Sequence, residues 1–132
     1  MQPSHILIVD SDPTAAFVTQ HGLQRLLKRE AKIEIANSTS EARARCLHGQ
    51  VDLLIIDPDS AIGTAAELVG ELHSRRPDLP VMVLTAYDTP RLRSQMRALG
   101  VEHYLAKPVE LQDLSDSVHL VIMHSGHAAP RV

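Results

Sequence analysis

Four apolar runs in this sequence end in polar residues whose types fit one piece of chemistry. HILIVD stops at Asp10, VDLLIID at Asp57 and PVMVLT at Thr85. VEHYLAKP ends at Lys107, followed by Pro108. Two carboxylates, a hydroxyl and an ammonium suit a doubly charged anion held by a divalent cation. Mg²⁺ prefers one or two carboxylates completed by water and phosphate oxygens, and a lysine ammonium acts on phosphate as a point charge. Each residue also has an ordinary reading. Asp10 or Asp57 alone is a turn or cap residue, Thr85 a strand end, and Lys107 a solvated surface charge. The weight lies in their joint occurrence.

These residues meet only if the runs are neighbouring strands. Aliphatic runs alternate with helical patterns along the chain, which argues for βαβ units around a parallel sheet. Strands are expected near 5–9, 32–36, 52–56, 80–84 and 102–105. Ile6–Val9, Leu53–Ile56 and Val81–Leu84 are apolar throughout, as strands covered on both faces must be. The second run, KIEIA, alternates and suits an edge.

Helices are expected over Pro13–Arg29, 38–48, 64–75, 89–98 and 110–123. Asp12 is placed to cap the first, ahead of Pro13. Ser38 and Glu41 have capping-box spacing. Leu68, Val69 and Leu72 form the buried face of the third helix, and Leu92, Met96 and Leu99 that of the fourth, where Gly100 is placed as the stop. Leu111, Leu114, Val118 and Ile122 recur at helical spacing in the fifth. The fold class is therefore α/β: a five-stranded parallel sheet in a flavodoxin-like, doubly wound (βα)5 arrangement of order 2-1-3-4-5. Ligands in such sheets bind beyond the carboxyl ends of the strands, at the switch point, here between Asp10 and Asp57.

Composition sets the bounds. A chain of 132 residues holds one ordinary domain. We divide it into a domain over 1–124 and a C-terminal tail or linker over 125–132. A net charge of −3 offers no basic excess for direct nucleic-acid binding. The single cysteine, Cys46, cannot form an internal disulfide and fits the buried face of a helix. Neither a membrane span nor a signal peptide is expected, and a cytoplasmic location fits. His124 and His127 do not form a recognisable metal motif.

The strings ILIVDSDP, DLLIIDPD, PVMVLTAYD and HYLAKPV, in this order and spacing, resemble the receiver domain of bacterial two-component response regulators over about residues 5–123. The resemblance implies a role for each position. Asp57 matches the aspartate that accepts a phosphoryl group from a histidine kinase or phosphotransfer protein. Asp10 matches an acid that helps hold Mg²⁺, and Asp57 shares that metal. Thr85 matches the hydroxyl that bonds the phosphoryl group and moves when it arrives, and Lys107 the lysine that pairs with a phosphoryl oxygen. Pro108 matches the proline after a cis peptide. Tyr104 matches the aromatic that swings inward on activation, although its simplest independent reading is core packing. The resemblance further implies a downstream output domain or partner, homodimer formation through the helix 4–strand 5–helix 5 surface, and no enzyme in its own right. Arg91, Arg93 and Arg97 give helix 4 a positive edge, which is either a solvated face or part of that surface.

Three departures from the family pattern bear on function. The family carries two adjacent acids after the first strand, whereas this chain has Asp10-Ser11-Asp12. A hydroxyl at Ser11 is a weaker ligand for a hard cation. Asp59, where the family gives a backbone carbonyl to the metal, is the first compensating carboxylate, and Asp12 the second. Pro58 lacks the N–H that another residue would offer next to the acceptor. The loop DPDSAIGTA lacks the family's usual proline four residues after the acceptor. Two readings stand: a phosphoryl-accepting switch, and a degenerate receiver that acts as a phosphorylation-independent interaction or dimerisation module. A flavodoxin-like cofactor binder shares the topology. However, the first loop is no Ser/Thr/Gly-rich cradle, and aromatic residues make up only 2% of the chain, too few to sandwich a flavin.

Overall fold

The computed structural model describes residues 2–58 and 62–126. Five parallel strands form one sheet in the order β2-β1-β3-β4-β5. They are β1 (Ser4–Val9), β2 (Ala31–Ala36), β3 (Leu53–Ile56), β4 (Val81–Thr85) and β5 (His103–Ala106). The helices are α1 (Pro13–Leu27), α2 (Thr39–His48), α3 (Ile62–Arg75), α4 (Pro90–Ala98) and α5 (Leu111–Gly126). The expected class, strand order and edge position of β2 all hold.

Alternation along the strands divides the core in two. Leu7 and Val9, Leu54 and Ile56, and Val81 and Val83 point to one face, where they pack with Cys46, Leu68, Val69, Leu72, Leu92 and Met96 from α2, α3 and α4. Ile6 and Ile8, Leu53 and Ile55, and Met82 and Leu84 point to the other face. There they meet Leu23, Leu27, Leu114, Val118, Val121 and Ile122 from α1 and α5. Successive strand side chains face opposite ways, so an all-apolar strand can feed two helical layers at once. Each such side chain stabilises the fold by about 1.5–3 kcal/mol when fully buried.

Helix ends follow local chemistry. The Asp12 carboxylate accepts from the N–H groups of Thr14 and Ala15, capping α1 ahead of Pro13. Ser38 Oγ accepts from Glu41 N, but the Glu41 carboxylate reaches back to Asn37 N. Thr89 caps α4 by accepting from Leu92 N. Gly100 ends that region with φ of +97°.

Several boundaries differ from those expected. The first helix stops at Leu27 instead of Arg29, because Lys28 turns to φ +51° and a 3-10 turn over Lys28–Glu30 follows. The Gln24 side-chain amide takes the Lys28 carbonyl and fixes that break. β3 begins at Leu53, because the Asp52 carboxylate accepts from His5 N at the strand's entry. α5 continues to Gly126, past the expected 123. From residue 127 onward the expected tail, including His127, lies outside the described residues, as does most of the loop after Asp57. No helix among the described residues is long and apolar enough to cross a membrane.

Candidate functional site

Register brings the first two acids together. Val9 pairs with Ile56, so Asp10 and Asp57 leave adjacent strands at the same level. Asp57 N donates to Val9 O at 3.0 Å and so continues the ladder one step past β3. On its other side β3 pairs with β4, where Thr85 is the last strand residue. β5 lies beyond, with Thr85 paired to Ala106 and Lys107 next in the chain. Lys107 N donates to Thr85 O at 2.7 Å, and the Lys107–Pro108 peptide is cis.

From that position the Lys107 side chain crosses two strands. Its Nζ lies 3.0 Å from Asp57 Oδ2 and 3.2 Å from Asp10 Oδ2. The two carboxylates are nearly enclosed, with 4% and 8% of their side-chain surface exposed, against 23% for Lys107. The ammonium is thus the wetter partner and the acids form the floor. Burial works to lower the Lys107 pKa. The hydrogen bond to Asp57, then the charges of Asp10 and Asp57 and the bond to Asp10, outweigh it, so the net shift is upward. Lys107 therefore stays charged at neutral pH.

The rims are held by backbone. Asp10 Oδ1 accepts from Asp12 N at 2.9 Å, which leaves Oδ2 to the ammonium. Thr85 is fully buried, and its Oγ1 accepts from Tyr87 N at 3.0 Å. The Asp12 carboxylate serves α1 as its cap. Ser11 follows Asp10 on the exposed rim. Asp59 lies outside the described residues. Tyr104 is half-buried against α4, and its hydroxyl donates to Asp88 Oδ1 at 3.0 Å.

The donor set bears on a metal. Among the described residues no cluster of three or more His, Cys, Asp or Glu side chains could cage an ion. Two carboxylates converging on the floor of one crevice fit Mg²⁺, which seldom takes an all-protein cage.

Sequence reasoning missed Asp88 next to this site, and read Arg93 only as part of the positive edge of helix 4. Asp88 and Arg93 both reach Tyr104, which comes from another strand. Asp88 stands three residues after Thr85, but nothing in that spacing shows that it faces β5.

A doubly wound sheet with acids, hydroxyl and lysine at its carboxyl edge defines a class of α/β switch-point proteins. Sequence comparison then narrows the class: residues 6–119 match the model of the response regulator receiver domain, and the chain belongs to that family. It is similar to the photosynthetic apparatus regulatory protein RegA of Rhodobacter capsulatus, at 30% identity over 95% of this chain and 64% of that protein. The transcriptional regulatory protein CitT of Bacillus subtilis is 34% identical over 80% of this chain and 46% of its own length. The chain thus spans about half to two thirds of the curated relatives it matches. Among solved structures, a CheY-like receiver domain protein from Methanospirillum hungatei superposes with a TM-score of 0.81, at 24% identity, over 94% of this chain and 97% of that one. The response regulator TrrA from Thermotoga maritima, solved in complex with Mg²⁺ and BeF, gives 0.77 at 25% identity, over 89% and 98%.

Proposed function

We propose that this receiver domain accepts a phosphoryl group on Asp57, with Mg²⁺ as cofactor, from a sensor histidine kinase or a phosphotransfer protein. The observation that carries the reading is the Lys107 ammonium within hydrogen-bond reach of both Asp57 and Asp10 at the strand ends. Asp57 is the better acceptor of the two acids. It follows the end of the central strand, flanked by Asp10 on one side and the Thr85 strand on the other.

The step forms a bond from an Asp57 carboxylate oxygen to phosphorus and breaks the N–P bond of a phosphohistidine. The histidine nitrogen leaves with the electron pair and is reprotonated. Lys107 shifts from bridging two carboxylates to pairing with a phosphoryl oxygen, a charge-assisted bond. Thr85 donates its hydroxyl to another phosphoryl oxygen. When bound, Mg²⁺ neutralises phosphoryl charge; Asp10 and Asp57 would hold it, with Asp59 or Ser11 as further donors.

Thr85 is tied to Tyr87 N, so its motion carries the start of the β4–α4 loop. Tyr104 then repacks, and the α4–β5–α5 surface changes for a partner, an output domain or a second copy of the chain. This is a shift between two packings biased by new bonds. The lengths of RegA and CitT support an output domain beyond the receiver. A cytoplasmic site of action, and a division into a receiver over 1–124 and a tail or linker over 125–132, belong to the same proposal.

The test is incubation with acetyl phosphate and Mg²⁺, read by intact mass. The expected result is a gain of one phosphoryl group, lost in Asp57→Asn and in chelator. A wild-type chain that gains no mass while remaining folded points to the phosphorylation-independent module instead.

A further inference from the structure

The β4–α4 loop and β5 are joined by three side chains that the phosphoryl chemistry does not use. The Tyr104 hydroxyl donates to Asp88 Oδ1 at 3.0 Å. Arg93 Nη2, one turn into α4, donates to the other oxygen, Asp88 Oδ2, at 2.5 Å. The Arg93 guanidinium carbon lies 5.3 Å from the Tyr104 ring centroid, within cation–π range. Each group contacts the other two, so the loop carboxylate, the helix cation and the strand aromatic form a closed triangle.

Its position gives it leverage. Asp88 lies one residue from Tyr87, whose N–H holds the Thr85 hydroxyl. Asp88 also immediately precedes Thr89, which caps α4. A cavity of about 310 Å³ lies beside the ring between α4 and β5, lined by Met96, Arg97, Val101 and Ala106 among others. Ala106 shares Tyr104's side of β5 and pairs with Thr85, so the residue between the ring's position and the end of β4 is a small one. The ring therefore borders open space between α4 and β5, and the triangle holds it where it is.

We propose that Asp88 and Arg93 latch Tyr104 to the β4–α4 loop in the unphosphorylated chain and so set how readily the domain switches. Both are positioning residues; neither touches Asp57 or Lys107. The inference rests on the phosphoryl-accepting reading. When Thr85 is drawn toward a phosphoryl group, the loop carrying Asp88 shifts and the triangle must open. A chain without the latch starts closer to the switched packing, and a ligand of that packing binds it more tightly.

The experiment is titration of beryllofluoride, a phosphoryl mimic, with Mg²⁺ into wild type, Asp88→Ala, Arg93→Ala and Asp88→Glu. The environment of Tyr104 is followed by ¹⁹F NMR of fluorotyrosine-labelled protein. The chain has two tyrosines, so Tyr87→Phe assigns the signals. Circular dichroism verifies folding. The expected result is about 3- to 10-fold tighter binding for the two alanine variants, as loss of one or two exposed polar contacts allows. The Tyr104 signal of the free variants should move toward its bound position, and Asp88→Glu should return toward wild type. Equal or weaker binding by folded alanine variants overturns the latch and leaves the phosphoryl-accepting reading intact. Absence of binding and of the acetyl phosphate adduct in wild type overturns both.

Discussion

Lys107 is the residue on which the site turns. It supplies a cation shared by Asp10 and Asp57, whose carboxylates are nearly enclosed. Lys107→Ala therefore leaves two neighbouring carboxylates without that shared charge. Removing one preorganised electrostatic stabiliser typically costs about 10²- to 10³-fold in rate. Adduct formation with acetyl phosphate, followed by mass against time, should fall by about that factor. Fold stability should also drop, by about 1–3 kcal/mol, because the charges repel in a poorly solvated place. An unaltered rate in the variant counts against a phosphoryl role for Lys107.

At the scale of single elements, two connections hold the frame. Gly100 ends the α4 region at φ +97°, a conformation that side chains rarely adopt. A Cβ there would lie 2.5 Å from the His73 ring. Gly100→Ala should destabilise the domain by about 1–3 kcal/mol, seen as a lower urea midpoint with the slope unchanged. The second connection is Gln24. Its side chain accepts from Ile33 N and donates to Ala31 O, while Gln20 donates to Ile33 O. These glutamines satisfy backbone groups on the open edge of β2, where an unpaired ladder invites pairing with another chain. Gln24→Ala should cost about 1–2 kcal/mol in chemical denaturation. It should also raise self-association, measured by sedimentation, and a variant as monomeric and as stable as wild type would show the edge to be protected by other means.

Across the whole molecule, ion pairs tie α2 to α3 and to the edge strand of the sheet. Arg43 on α2 makes a two-pronged pair with Glu71 on α3, at 2.7 Å in both contacts, and Arg75 adds a third bond at 3.0 Å. Arg76 Nη1 donates to Cys46 O at 2.7 Å, which closes the same seam from the α3 end. Arg45 pairs with Glu34 and ties α2 to β2. The Arg43 hydrogen bond, followed by that of Arg75, pulls the Glu71 carboxyl from 4.5 down to about 2. Because the folded value is the lower one, the unfolded chain takes up a proton first as pH falls. The contribution is complete above about pH 4.5 and disappears toward pH 2. Unfolding midpoints should thus fall less steeply across that window in Glu71→Gln than in wild type. Salt should shrink the difference, since the pair is solvent-exposed.

Much of this was legible in order and spacing. Apolar runs such as LLII and VMVL announce strands covered on both sides, and their polar ends mark the edge where a site forms, because a parallel sheet sends every carboxyl end the same way. Asp12 before Pro13, Ser38 before Glu41 and Gly100 after α4 are local signals, satisfied by neighbours a few residues away. Cys46 on a buried helical face is equally local. By contrast, the break at Lys28 came from a Gln24 side chain folding back over the turn, and the start of β3 from Asp52 reaching across to His5. Neither contact leaves a periodic trace.

What the chain determined by itself is the set of elements, their order in the sheet and the residues at its carboxyl edge. These follow from short-range propensity and from the burial of apolar faces. Only the tertiary structure decided that one lysine spans both carboxylates, that Thr85 is held by its own loop, and that Asp88 and Arg93 enclose Tyr104. Those contacts join residues far apart in sequence. They depend on strand register and helix placement to within about an ångström, a precision that side-chain packing supplies and residue type alone does not.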